Sequence, residues 1–250
     1  MEGYRSDTYG DAFADVYDEW YRGLGDVGSL VRLIGEETLT ACGETPKTVL
    51  ELGVGTGRLA LPLADAGFDV TGVDTSSAML DRLRRADPGG RVAVIQGDMV
   101  DDLPAGPFAA ALAAYNSVFN LETADRQRQL FAEVAARLTD EGCLVIEAFV
   151  PDDPPRRGGD LTIRSLTADR VVLSATVSDP STQRAEGQFI ELTEAGGVRL
   201  RPWSIRYASP AQLDEMAAAA GLTLAARHAD TDRAVFDDES HHHVSIYRRG

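Results

Sequence analysis

The run Glu51-x-Gly53-x-Gly55-x-Gly57 is where residue type and spacing in this chain point most directly to chemistry. Glycines at every second position let a backbone turn sharply and approach a ligand closely, because they tolerate positive φ and carry no Cβ. Glu51 interrupts the apolar run Val49-Leu50-Glu51-Leu52, where a carboxylate is costly unless it meets a cation or several donors. Asp74 ends a second apolar run and is placed to accept hydrogen bonds from ribose hydroxyls across a crevice at the strand ends. Together these residues read as a nucleoside-binding half-site.

Spacing separates two kinds of nucleoside ligand. A dinucleotide fingerprint, G-x-G-x-x-G, counted from Gly53 puts Arg58 where its third glycine belongs, and the looser set Gly55, Gly57 and Ala60 begins two residues too late. Glu51 also disfavours two phosphates, whereas the sulfonium and ammonium groups of S-adenosylmethionine would meet it well. The pattern acid-x-Gly-x-Gly-x-Gly resembles the first motif of the class I S-adenosylmethionine-dependent methyltransferases. The resemblance implies that Glu51, Gly53, Gly55 and Gly57 hold the cofactor and that Asp74 holds its ribose. It places Thr75 at the start of the next helix, Met79 against the adenine, and Gly97-Asp98-Met99 on the adenine side.

The opening Tyr9-Gly10-x-x-Phe13-Ala14-x-x-Tyr17-Asp18-x-x-Tyr21 narrows the likeness to antibiotic-tailoring N-methyltransferases of deoxyaminosugars and of the lincosamide amine. In that group the aromatic segment folds over the cofactor, which implies that Tyr17 contacts the methionine end and that Tyr9 and Tyr21 border the acceptor. A plain amphipathic stripe of Phe13, Tyr17 and Trp20 at i, i+4 and i+7 accounts for the same pattern.

Farther along, Tyr115-Asn116-Ser117-Val118-Phe119-Asn120 follows an apolar run, where open α/β sheets place substrate-facing residues. Asn116 and Asn120 are candidates to orient a nucleophile, with catalytic roles assigned to Tyr17 and Asn120. Tyr115 and Phe119 are candidates for the pocket wall or for a cation–π contact with the cofactor. As helix caps, the asparagines would have no such role. Arg201 and Arg206 could anchor an anionic group of the acceptor, or lie on a solvated strand face. His241-His242-His243 carries no recognisable metal-ligand spacing and is read first as an exposed strand entry, so no metal is expected.

Periodicity supplies the elements that must position these residues. Helices are expected over Asp11–Tyr21 and Val27–Cys42, the second with Leu30, Val31, Ile34 and Leu39 on one side. Strands and helices then alternate to Phe149, which predicts an α/β, doubly wound, mostly parallel sheet of the Rossmann-like kind. Beyond Pro151-Asp152-Asp153-Pro154-Pro155, alternating patterns over Leu161–Tyr207 predict an inserted antiparallel β excursion with a turn at Gly196-Gly197. A helix from Pro210 and strands at Leu222–Arg227 and Val244–Tyr247 complete the sheet edge. The expected division is a helical lid over 1–45, a cofactor-binding core over 46–150, the excursion over 151–209 and a closing unit over 210–250.

Forty acidic residues against 24 basic ones give a net charge of −16, which argues against nucleic acid as a partner. No run reaches membrane-spanning length and the first residues lack a signal-peptide pattern, so a cytoplasmic enzyme acting on a small molecule is expected, as a homo-oligomer. Cys42 and Cys143 are read as buried small hydrophobes. The reaction expected is direct methyl displacement by an amine of a small natural product or sugar. The alternatives are O-methylation, with a histidine of the 241–243 tract as base, and non-catalytic cofactor binding.

Overall fold

Residues 1–23, 25–42, 47–152 and 155–250 are described in a computed structural model of the chain. The centre is a seven-stranded sheet in the order β10-β11-β5-β4-β1-β2-β3. It comprises β1 (Thr48–Leu52), β2 (Asp69–Asp74), β3 (Val92–Gln96), β4 (Phe108–Ala113), β5 (Leu138–Phe149), β10 (Leu222–His228) and β11 (His242–Arg249). The first five run parallel to one another, and β11 runs antiparallel to β5 and β10. Strand order reverses at β1, which opens a crevice at the carboxyl ends of β1 and β4. The doubly wound α/β sheet expected from the sequence is therefore present. Val49, Leu50 and Leu52 are fully buried, as a central parallel strand covered by helices on both faces requires.

The helices are α3 (Val27–Cys42), α4 (Ala60–Asp65), α5 (Ser77–Ala86), α6 (Ala124–Ala135) and α7 (Pro210–Ala219) behind the sheet crossovers, with α1 (Thr8–Phe13) and α2 (Tyr17–Trp20) near the N-terminus. Each start has a local cause where a polar cap stands: Ser76 accepts from Met79 N, Thr123 from Arg126 N, and Ser209 forms a reciprocal capping box with Gln212 ahead of Pro210. On α3 the buried face is Leu30, Leu33, Ile34 and Thr38, while Leu39 is 56% exposed; four residues on from Ile34 the helical period reaches Thr38, not Leu39. The side chain of Cys42 lies outside the described residues, as do Asp153 and Pro154. Cys143 is buried in the core.

The single helix expected over Asp11–Tyr21 is two short ones. Arg201 donates to the Ala12 carbonyl, the acceptor that Val16 N would use in a continuous helix, and Val16 N turns to Phe13 O at 3.0 Å instead. The excursion is a separate four-stranded antiparallel sheet of β6 (Gly158–Leu166), β7 (Arg170–Asp179), β8 (Arg184–Thr193) and β9 (Val198–Arg206). The Gly196-Gly197 turn joins β8 to β9, both glycines at positive φ.

The histidine tract differs from its expected place. His241 and His242 are exposed, but His243 is fully buried on β11, its Nδ1 2.8 Å from Ser245 Oγ, and burial pushes its pKa down to about 4. It is a neutral core residue. Among the described residues no cluster of three or more His, Cys, Asp or Glu could hold a metal, and no helix is long and apolar enough to cross a membrane.

Candidate active site

A cavity of about 450 Å³ opens over the carboxyl ends of β1, β2 and β4. Its floor is built by the glycine turn. Gly53 and Gly55 hold φ of 77° and 55°, and Gly53 N and Val54 N bond to Val73 O at 2.8 and 3.0 Å, tying the turn to β2. Asp74 Oδ2 accepts from Gly55 N at 2.8 Å and Oδ1 from Ser76 N at 2.9 Å. Burial raises the pKa of this carboxyl and the two amides oppose that shift. Asp74, Thr75, Met79, Gly97, Asp98 and Met99 continue the wall. Thr75 also bonds outward, donating its hydroxyl to Ser6 O at 2.9 Å, and Asp98 is held by Arg126 at 2.6 Å.

Gly57 lies elsewhere. A Cβ there would come within 2.2 Å of Leu83 Cδ1, so this glycine seats the turn against α5 and does not face the cavity. Helix α4, only six residues long, starts at Ala60, and its first turn is tied to the glycine turn by Leu61 N, which donates to Gly57 O at 3.0 Å.

Glu51 faces a recess beside the cavity, which shares Tyr17, Gly53, Tyr115 and Ser117 with it. Its Oε2 has no hydrogen-bond partner although the residue is 4% exposed, and burial pushes its pKa up to about 8 against the opposing charge of Arg58. The Arg58 guanidinium lies 3.5 Å over the Tyr115 ring. An orphaned buried carboxylate oxygen beside a glycine cradle suits a ligand that brings an ammonium group and donors, and opposes one that brings phosphates.

Tyr115 and Asn116 are both left-handed, at φ 50° and 65°, a strained pair for residues with side chains. Asn116 N donates to Glu147 O at 3.0 Å and its Oδ1 accepts from Phe149 N at 2.7 Å. Asn116 therefore lines the cavity while its side-chain carbonyl oxygen stitches β4 to β5 with one of its two lone pairs. Asn120 ends the 3-10 turn Ser117–Asn120 and lines the cavity.

The roof comes from the N-terminal segment and the second sheet. Ser76 Oγ donates to Asp11 at 2.6 Å and Thr56 Oγ1 to Asp18 at 2.7 Å, and a Cβ at Gly10 would stand 2.3 Å from that of Ser76. So docked, Tyr9, Tyr17 and Tyr21 line the cavity, with 3.2 Å between the Tyr9 and Tyr21 hydroxyls. Phe13 points away into a cluster with Trp20 and Phe189. The segment is thus both a packed stripe and a cavity roof. Burial raises the pKa of Tyr9 and Tyr17, and that of Tyr4 to about 12.

Besides Gly57, three more expected site residues are elsewhere. Phe119 is fully buried and packs edge-on to Phe149, whose ring takes the place in the wall. Arg201, 1% exposed, is clamped between Asp15 at 2.6 Å and Glu191 at 2.9 Å, so it fastens the N-terminal segment to the excursion and offers nothing to an anion. Arg206 donates to the side chains of Gln127 and Gln183, and the cavity does not reach it. The sequence reading in turn missed Tyr4, Glu122, Phe149, Phe189, Trp203 and Ile205. Strand alternation puts Trp203 and Ile205 on one face of β9, and the register, not local sequence, sets Phe189 of β8 opposite Arg201 on that same face. Gly187 lies opposite Trp203, where a Cβ would meet the indole at 2.8 Å.

The profile of a methyltransferase domain matches residues 49–142. Over the whole length the chain is similar to the CcbJ methyltransferase of Streptomyces caelestis, at 38% identity and a TM-score of 0.89, covering 99% of this chain and 100% of that one. The chain belongs to the S-adenosylmethionine-dependent methyltransferases. Their common cofactor is the one that the glycine turn and Glu51 suit. The chain is also 30% identical over 148 residues to the cypemycin N-terminal methyltransferase of a Streptomyces species, a match spanning 58% of this chain and 60% of that protein, short of two thirds of its length. The sugar N-methyltransferase KedS8 of Streptoalloteichus shares the fold at a TM-score of 0.69 and 22% identity, with 100% of this chain and 99% of that one covered.

Proposed function

We propose that the protein is an N-methyltransferase acting on an amine of a small natural product or sugar. The observation that carries this reading is the composition of the acceptor end of the cavity. Phe149, Phe189 and Trp203 present rings, Tyr4, Tyr9 and Tyr21 present hydroxyls, Glu122 presents a carboxylate, and no histidine or lysine lines it among the described residues. Arg5 and Arg126 also line the cavity but are paired with Asp7 and with Asp98 and Asp101, and Glu122 is shared with Arg184 at 3.0 Å. The aromatic faces are therefore the main feature that favours a group that becomes positive as it reacts, with cation–π contacts of ~0.5–2 kcal/mol each. Tyrosines whose pKa is raised by burial stay protonated and act as donors, not as bases.

S-adenosylmethionine, when bound, supplies a methyl group made electrophilic by its sulfonium. In this reading Asp74 and the Gly53–Gly55 backbone fix the nucleoside, while Glu51, Tyr17 and Tyr115 surround the amino-acid end. Asn120 and the tyrosine hydroxyls orient the acceptor nitrogen, and the roof excludes water. Alignment alone contributes ~7–11 kcal/mol, so a neutral amine reaches the methyl group without a protein base. A hydroxyl acceptor fits less well. It would need the tract histidine as base, and none of the four histidines lines the cavity. The lid, core, excursion and closing unit divide this work along 1–45, 46–150, 151–209 and 210–250. The partner remains a small molecule, neither nucleic acid nor membrane, in a cytoplasmic setting.

The test is methyl transfer from isotopically labelled S-adenosylmethionine to matched pairs of amino sugars and their hydroxyl isosteres, read by mass spectrometry. Label on nitrogen in the amino member alone is the expected result. Label on the hydroxyl member would favour O-methylation, and tight cofactor binding with no transfer to any acceptor would favour a non-catalytic binder.

A further inference from the structure

The acceptor end of the cavity is assembled across a seam. On one side is the segment after β4, where Asn120, Leu121 and Glu122 line the cavity; on the other is β9, with Trp203 and Ile205. β9 is an edge strand of the second sheet, so no backbone ladder fixes its distance from the first. One side chain spans the gap. Gln127 of α6 is fully buried, the only buried carboxamide among the described residues, and it lines no part of the cavity. Its Nε2 donates to Val118 O at 3.3 Å and Leu121 O at 3.2 Å on the near side, and to Arg206 O at 2.7 Å on the far side. Its Oε1 accepts from the Arg206 guanidinium, whose other terminal nitrogen donates to Gln183 Oε1 at 2.8 Å.

We infer that Gln127 is the positioning residue of the acceptor wall: it sets the separation of Asn120 and Glu122 from Trp203 and Ile205, and with it which acceptors reach the methyl group in line. The inference deepens the proposed methyl transfer and rests on it for the identity of the acceptor. Chain proximity is the first argument. Leu121 itself lines the cavity and Arg206 directly follows Ile205, so a change at the amide reaches the wall through one residue on either side. Chemistry is the second argument. A carboxamide offers two N–H donors and an acceptor at one tip, which three carbonyls and a guanidinium require together; a carboxylate would repel the carbonyls and an ammonium the guanidinium. The ion pair of Glu122 with Arg184 crosses the same seam at 3.0 Å, but both partners are about one-third exposed and such a pair holds little. Independence is the third argument. None of the partners of the Gln127 side chain lies between Glu51 and Met99, so its loss loosens one wall and spares the other. A displacement of ~1 Å in a reacting group can cost ~10²-fold in rate, so a small opening of the seam is enough to be read.

The test compares Gln127→Met with Arg206→Met. Methionine fills the space of the glutamine and removes all of its bonds, whereas the Arg206 variant removes a guanidinium and leaves the three carbonyl bonds, so it controls for lost stability. Amide hydrogen exchange of the ligand-free chain needs no acceptor. In Gln127→Met, exchange at residues 117–122 and 203–207 should rise roughly tenfold or more while residues 53–76 keep native rates, and Arg206→Met should leave 117–122 native. Where an amine of the paired panel is methylated, its KM should rise roughly tenfold in Gln127→Met with S-adenosylhomocysteine affinity unchanged, and stay near native in Arg206→Met. Native exchange in Gln127→Met, a uniform rise along the whole chain, equal effects of the two variants or an unchanged acceptor KM would each overturn the proposal. Should Gln127→Met fail to fold, Gln127→Asn keeps the amide but is one methylene too short to span the seam, and the same pattern is expected of it. A panel in which no amine is methylated would sink the N-methylation reading alone, because the exchange measurement still decides the role of Gln127.

Discussion

The two walls of the cavity are built in different ways. The cofactor wall is made of backbone: Gly53 and Gly55 turn between β1 and α4, Asp74 is held by two amides, and the segment from Glu51 to Met99 is continuous in sequence. The acceptor wall is made of side chains brought from distant segments, Tyr9 and Tyr21 from the N-terminus, Phe149 from β5, Phe189 and Trp203 from the second sheet. A backbone cradle tolerates few changes, whereas a wall of side chains on a separate sheet can change its lining without disturbing the core. The difference places constancy of cofactor and variability of acceptor in separate parts of one molecule.

The largest expected effect comes from cutting the tie between the two. Arg201→Met leaves Asp15 and Glu191 without their shared cation and loosens the N-terminal segment from β9, where Arg199 alone still pairs with Asp15 at 2.7 Å. A loss of roughly 2–4 kcal/mol in unfolding free energy is expected by denaturant titration, below the ~3–5 of a fully buried pair because Asp15 keeps solvent contact. Unchanged stability would mean that the clamp does not hold the roof.

A titration separates the walls next. Glu51 is raised from 4.5 to about 8 by burial, so the folded chain holds this proton more tightly than the unfolded one. Its contribution to stability is full below pH 4.5 and is lost as pH rises through about 8. Asp74, also raised by burial, adds to the same slope. His243, lowered to about 4 and lining neither wall, acts with the opposite sign: its contribution is full above pH 6.5 and is lost as pH falls through about 4. Melting curves of the ligand-free Glu51→Gln variant should lose most of the decline between pH 5 and 8 and keep the acid limb. A native-like slope in that variant would remove Glu51 as its source.

The smallest effect concerns the roof. Tyr17→Phe keeps the ring and its packing but deletes the hydroxyl, so turnover or cofactor affinity should fall by about 1 kcal/mol with the melting temperature nearly constant. The reverse pattern would reduce Tyr17 to packing.

The same contrast explains what the sequence made legible. The parallel order, the glycine turn, Asp74 at the end of β2 and the start of α7 at Pro210 follow from local rules that act within a few residues, and they stood in the expected places. Arg201, Arg206 and Phe119 did not, because their partners lie far away along the chain: an arginine on an alternating strand reads the same whether it meets solvent or Asp15. His243 was misread for a related reason, since three histidines in a row look polar while β11 lies between β5 and β10 and buries every second side chain on each face. The acceptor wall was visible only where aromatic residues lay within one short segment, as in Tyr9 to Tyr21. Phe189 and Trp203 come together through the register of β8 with β9, which no local pattern states.

Calorimetric titration with S-adenosylhomocysteine into the native chain, Asp74→Ala and Trp203→Ala tests the division most directly. The account predicts one site per chain, weakened by about 1.5–3 kcal/mol in Asp74→Ala and essentially unchanged in Trp203→Ala. Equal weakening in both variants, or native affinity in Asp74→Ala, would contradict it.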